Sequence, residues 1–203
     1  MIIFFDMSNF DYNVAPSGSS GGNNTKFSEN ISFRLPKIVL DQLRQEAKEN
    51  QITINTLVNQ IIDSYVNFTS NAPKAGMIPI HRLCLITLLE GYSEEQIREI
   101  ANRFVKAICV QTPLLLRGRY DFEAVLESHR SWLKAAGFQY RYSKDAEKNR
   151  HTFIVEHDMG RKFSLFAVEY AKLYFEPVVR KEVESTFTDN TIMIVLEEKA
   201  AYE

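Results

Sequence analysis

The sequence predicts an α+β protein in two parts, and two observations carry that reading. Between residues 30 and 68, one short segment of alternating polarity leads into two amphipathic helical stretches. From residue 79, helical periodicity holds to about residue 136 and then gives way to segments of period two around one more helix. Helices first, then strand–strand–helix–strand–strand, is the order of an α+β domain with a small antiparallel sheet. A parallel sheet would alternate the two element types throughout.

The first element is Asn30-Ile-Ser-Phe-Arg-Leu-Pro36, where Ile31, Phe33 and Leu35 share one face of a strand and Asn30, Ser32 and Arg34 the other. A helix is predicted at about Lys37–Glu49, with Leu40, Leu43 and Ala47 at helical spacing. A second is predicted from about Ile54 to Phe68, where Leu57, Val58, Ile61, Ile62, Tyr65 and Val66 make a wide apolar stripe. Asn50-Gln51 occupies the turn between them, and Asn tolerates the left-handed conformation that ends a helix there. About forty residues of this kind bury too little surface to fold alone. A lone strand also leaves an unpaired edge. Both problems are solved by a homodimer whose strands pair into a ribbon over a shared four-helix core.

This segment resembles the ribbon-helix-helix family of the Arc, MetJ and CopG type. The matching residues are Ile31–Pro36, the Leu40/Leu43/Ala47 stripe, the Ile52-Thr53 turn, and Leu57-Val58 in the second helix. The family commonly holds Gly in the turn where this chain has Asn50-Gln51. The resemblance implies that paired strands enter the major groove and read base edges. Asn30, Ser32 and Arg34 would be the readers, with Arg suited to guanine, Asn to adenine and Ser to either. It also implies a phosphate grip at the start of the second helix. There Thr53 is a good N-cap, and Asn55 lies beside amides that can meet an anion. Charge gives little help to binding. Lys26, Arg34, Lys37, Arg44 and Lys48 are balanced by Glu29, Asp41, Glu46, Glu49 and Asp63, so non-specific affinity is expected to be weak.

Residues 1–28 are expected to be a disordered tail. Ser17–Thr25 is a polar tract with nothing to pack, preceded by the aromatic Phe4, Phe5, Phe10 and Tyr12. The ribbon-helix-helix part is assigned to residues 29–70, and Ser70, Asn71, Pro73 and Gly76 interrupt periodicity at the boundary, Thr69–Met77. Residues 77–203 are long enough for their own core, and they carry no family resemblance.

In that second part a helix is expected over Pro79–Glu90, stopped by Gly91. Ser93-Glu-Glu-Gln96 is a capping box opening a helix through Ile97, Ile100, Phe104 and Ile108. Thr112–Gly118 is short and apolar, and Asp121 can cap a helix running to Ala136 with Gly137 as its stop. Phe138–Tyr142 and His151–His157 read as strands around a polar turn, Ser143–Asn149. A helix follows over about Arg161–Phe175 and is expected to end near Pro177. Glu184–Thr188 and Thr191–Leu196 flank Asp189-Asn190, a hairpin signal.

Chemistry is sparse. His157–Ser164 places Gly160 at a helix start beside Arg161 and Lys162, an arrangement able to hold an anion, although a capped tight turn with a solvated basic pair explains it better. His81 and Cys84 stand three apart on one helix face, and the remaining histidines 129, 151 and 157 and Cys109 are scattered, so no metal or cofactor is assigned. No Walker lysine, GxGxxG or GxSxG pattern is present, and no enzymatic activity is expected. Trp132, Phe163, Phe166, Tyr170 and Tyr174 make the second part aromatic-rich, which suits a packed core better than a pocket for a planar effector. The helix over Phe163–Tyr174 is a candidate dimer contact. Net charge is -2, and Cys84 and Cys109 read as buried free thiols of a reducing interior. No apolar run reaches the ~18 residues needed to span a bilayer, and the first residues are not a convincing signal peptide.

The resulting expectation is a cytoplasmic, chromosome-associated transcription regulator. It would act as a homodimer or higher homo-oligomer on double-stranded DNA, without a membrane partner. The second part would serve oligomerisation or sensing of a small-molecule or protein effector. The alternative is an antitoxin-like interaction module whose second part grips a protein partner.

Overall fold

The computed structural model describes residues 31–197. The expected tail, Asn30 and residues 198–203 lie outside them. The chain divides into two compact units that part between Ile62 and Asp63.

The first unit is built on α1 (Lys37–Glu49) and the start of α2 (Ile54–Ser64), preceded by residues 31–36 without strand structure. A strand exists only where its backbone groups find a ladder, and among the described residues no strand pairs with this segment. The turn between the helices is a Schellman motif. Gln51 N–H donates to the Lys48 carbonyl at 3.1 Å and Ile52 N–H to the Ala47 carbonyl at 2.9 Å. Asn50 keeps a right-handed φ of -82°, and its side-chain amide donates to the Glu46 carbonyl at 3.0 Å. The left-handed residue is therefore Gln51, at φ 54°, and not the asparagine to which the sequence assigned it. Helix α2 opens on Thr53, whose Oγ1 accepts from the Thr56 amide at 3.1 Å.

The second unit begins with the end of α2 and a π-helical turn, Tyr65–Thr69. Arg117 fastens that turn, donating to the Asn67 carbonyl at 2.6 Å and to the Glu127 carbonyl at 3.2 Å. Five helices follow: α3 (Arg82–Glu90), α4 (Glu94–Ile108), α5 (Gln111–Arg117), α6 (Phe122–Ala135) and α7 (Gly160–Val179). The capping box at Ser93 and Gln96 is present in full. Asp121 caps α6, and Gly137 follows its end at φ 68°.

The four strands are β1 (Gln139–Asp145), β2 (Arg150–Glu156), β3 (Glu184–Phe187) and β4 (Thr191–Glu197). They form one antiparallel sheet in the order β1-β2-β4-β3. Its register sets His151 beside Leu196, Phe153 beside Ile194 and Val155 beside Ile192, all buried on the same face. β1 is longer than its alternation suggested, because Ser143, Lys144 and Asp145 pair with Thr152, His151 and Arg150.

Helix α7 is the hub, touching β3, β4, α3, α4 and α6. Phe163, Leu165, Val168, Ala171, Tyr174 and Phe175 are all buried along it, so an interface through this helix has no open apolar stripe to use. It also continues to Val179, past the expected end at Pro177. Pro withholds one N–H and crowds the carbonyl four residues back, but the rungs beyond it can still form. Val179 is buried beyond it, and the Arg180 amide closes the last turn on the Glu176 carbonyl at 2.9 Å. No helix among the described residues is long and apolar enough to cross a membrane.

Candidate nucleic-acid interface

The residues picked from the sequence fall on two local features of the first unit. Ser32 and Arg34 are exposed on the extended segment before α1. Two residues apart in extended chain, they share a face, and their neighbours Ile31 and Phe33 are 73% and 58% exposed. Asn30, the third expected reader, lies outside the described residues.

Thr53 and Asn55 come together at the first turn of α2, both exposed. The Thr53 hydroxyl lies 2.8 Å from that of Thr56 as well as accepting its amide. The Leu57 amide donates to the Thr53 carbonyl at 3.0 Å. Ile54 and Asn55 precede the first intrahelical bond, so their amides have no carbonyl four residues back within the helix. With the positive end of the helix dipole behind them, they can meet a phosphate oxygen. Nearby charge is spare. Arg44 is occupied by Asp41 at 3.2 Å on the exposed face of α1.

The apolar surface of this unit is as informative as its polar groups. Ala47 and Leu57 are its only buried hydrophobic residues among those described, while Leu40, Leu43 and Val58 are half-buried. Ile38 is 71% exposed, and Leu35, Val39, Ile61 and Ile62 are also open. The α1 stripe is thus partly covered, while Ile61 and Ile62 of the α2 stripe and the apolar Leu35, Ile38 and Val39 stay open in the single chain, a cost that burial in a partner would remove.

The polar cluster at residues 157–164 in the second unit is closed to an anion by its own bonds. His157 Nδ1 accepts from the Met159 amide at 3.1 Å, which leaves the proton on Nε2, 2.9 Å from Ser164 Oγ. Ser164 in turn donates to the Asp189 carbonyl at 3.1 Å, and the Gly160 amide donates to Asn190 Oδ1 at 3.1 Å. Arg161 lies 3.6 Å from Glu94 and over the Phe187 ring, and Lys162 donates to the Glu90 and Tyr92 carbonyls, each at 2.7 Å. The cluster latches α7 to the β3–β4 hairpin. Burial lowers the His157 pKa to about 4, with Asp158 opposing the shift and Arg82 adding to it.

His81 Nδ1 is taken up as the cap of α3, accepting from the Leu83 amide at 3.2 Å. Among the described residues no group of three or more His, Cys, Asp or Glu side chains is placed to hold a metal ion. Cys84 is exposed and Cys109 half-buried, so neither is the fully buried thiol expected of it, and Cys84 departs furthest.

One buried group escaped the sequence reading. His129 on α6 is 3% exposed, and neither of its ring nitrogens has a hydrogen-bond partner among the described residues. Burial lowers its pKa to about 3. The signal was present in the spacing: Val125, His129 and Leu133 stand four apart on one helix face, and all three are buried. Compared with family models, curated proteins and solved structures, the chain matches none.

Proposed function

We propose that the chain is a homodimeric, sequence-specific DNA-binding transcription regulator of the ribbon-helix-helix type. The observation that carries this reading is the uncovered first unit. It joins two helices through a Schellman turn, buries two apolar side chains, and leaves Ile31, Phe33, Leu35 and Ile38 in solvent. Pairing residues 30–35 with the same segment of a second copy would complete the strand ladder and cover that surface in one step.

In the dimer, Asn30, Ser32 and Arg34 face the major groove, and the Thr53–Asn55 turn of each copy grips a phosphate. Because the local charges balance, affinity comes from these directed contacts more than from counterion release. The second unit serves oligomerisation or effector sensing, and two dimers on adjacent half-sites would gain avidity. The reading assigns the chain no catalytic step and places it on the chromosome in the cytoplasm.

Arg34→Ala tests the assignment. On a cognate site it should cost about 1–3 kcal/mol in a gel-shift titration while dimer mass and helical content stay unchanged. An unchanged affinity would remove the ribbon from the interface. The rival reading, an antitoxin-like module, predicts a stoichiometric protein partner instead of a DNA site.

A further inference from the structure

The second unit contains a two-chambered apolar site. The larger chamber is a groove of about 520 Å³ among α3, α4, α6 and α7, with Leu85, Leu88 and Ile100 on its walls. The smaller, about 40 Å³, reaches into the core as far as His129, Val155 and Ile194. Phe104, Trp132, Phe138, Phe163 and Phe166 line both, so the two are adjoining parts of one space. The larger volume lies within the range of small-molecule pockets, and the flat aromatic walls select a flat occupant.

The inner end carries unspent polar chemistry. His129 and Trp132 face each other at 5.7 Å between ring centroids. Neither His129 nitrogen nor the Trp132 indole N–H has a partner among the described residues. A neutral imidazole offers one donor and one acceptor, and the indole offers a donor. A hydroxyl complements that set, since its oxygen accepts and its proton donates. A carboxylate does not, because it can only accept and would bring an uncompensated charge into an apolar chamber. Arg82 is the only charged side chain lining the groove among the described residues, and it is already committed. It donates to the Ala136 and Gly137 carbonyls at 3.3 and 2.8 Å and lies 5.2 Å over the Phe138 ring.

We propose that this site binds a neutral, planar aromatic small molecule bearing one hydroxyl group, with its ring among the shared aromatic side chains and its hydroxyl at His129 and Trp132. The binding needs no DNA, so its failure and the failure of the DNA reading are separate results.

The test titrates the full chain with para-ethylphenol and with para-ethyltoluene, which have nearly the same shape and differ by the hydroxyl. Trp132, the sole tryptophan of the sequence, is the optical reporter, and calorimetry gives an independent isotherm. The phenol should bind saturably and about tenfold more tightly than the hydrocarbon, as expected for satisfying buried unpaired groups. His129→Phe keeps an aromatic ring and removes both nitrogens, so it should lose most of the phenol's advantage and keep only the share that the Trp132 indole supplies. Trp132→Phe, followed by calorimetry alone, should lose part of the phenol's advantage. Absence of saturable binding, equal binding to the unaltered protein, or a preference undiminished in His129→Phe would each overturn the proposal.

Discussion

Replacing His129 by Phe should stabilise the second unit, and the gain should grow as the solution is acidified. The ring sits among Phe153 at 5.5 Å, Phe175 at 5.1 Å and Tyr170 at 6.0 Å, with no hydrogen bond to lose. Its polar atoms were stripped of water without replacement, a cost of roughly 1–3 kcal/mol that Phe does not carry. The slightly larger Phe ring can expand into the adjoining chamber of about 40 Å³.

The pH dependence follows from the depressed pKa, about 3 in the folded protein against an ordinary value of 6.5. Below pH 6.5 the unfolded chain takes up a proton at this position and the folded chain does not. The stability tied to a neutral His129 is thus fully present above pH 6.5 and drains away as pH falls toward 3. The rate is about 1.4 kcal/mol per pH unit, so the loss is about 2 kcal/mol by pH 5. His157 shifts in the same direction but is present in both proteins, so it cancels in the comparison. Urea unfolding followed through Trp132 should show the variant about 1–3 kcal/mol more stable at pH 7 and about 2 kcal/mol further ahead at pH 5. Equal midpoints at pH 7, with parallel losses on acidification, would refute the burial of an unpaired neutral imidazole.

Other expectations follow from individual bonds. Gln51→Gly relieves a left-handed backbone at φ 54° and should stabilise the first unit by about 0.5–1 kcal/mol, visible as a higher urea midpoint by circular dichroism. Gln51→Val should act in the opposite direction, since a β-branched residue resists that conformation. Ser164→Ala leaves both the His157 Nε2–H and the Asp189 carbonyl without their partner and should cost about 1–3 kcal/mol in the same kind of experiment. Thr53→Ala removes the cap of α2 and should cost about 1 kcal/mol, read from the helical signal in urea unfolding.

What could be read from the chain was mostly local. The Ser93–Gln96 capping box, the Asp121 cap, the Gly137 stop and the Asp189-Asn190 hairpin each depend on residues within a few positions, and all four took the expected form. The α+β class followed from the order of periodicities, and the antiparallel sheet bears it out. Misplaced features depend on more distant partners. β1 extends through Asp145 because β2 offers it a register, and α7 outlasts Pro177 because Val179 has a buried place to occupy. The left-handed turn fell on Gln51 because the spacing of the two Schellman bonds selected the position, in spite of the better-suited asparagine beside it. The His129 chamber assembles side chains from α4, α6, α7 and the sheet, and no local pattern announces such a gathering.

The central claim is that the uncovered first unit dimerises to read DNA. Its most direct test is selection of bound fragments from a random double-stranded library by the purified full chain at ~150 mM salt, where non-specific contacts are weakened. The expected result is a short motif repeated at a fixed spacing, lost from the selected pool when Arg34→Ala replaces the original chain. A folded dimer that enriches no sequence would contradict the claim.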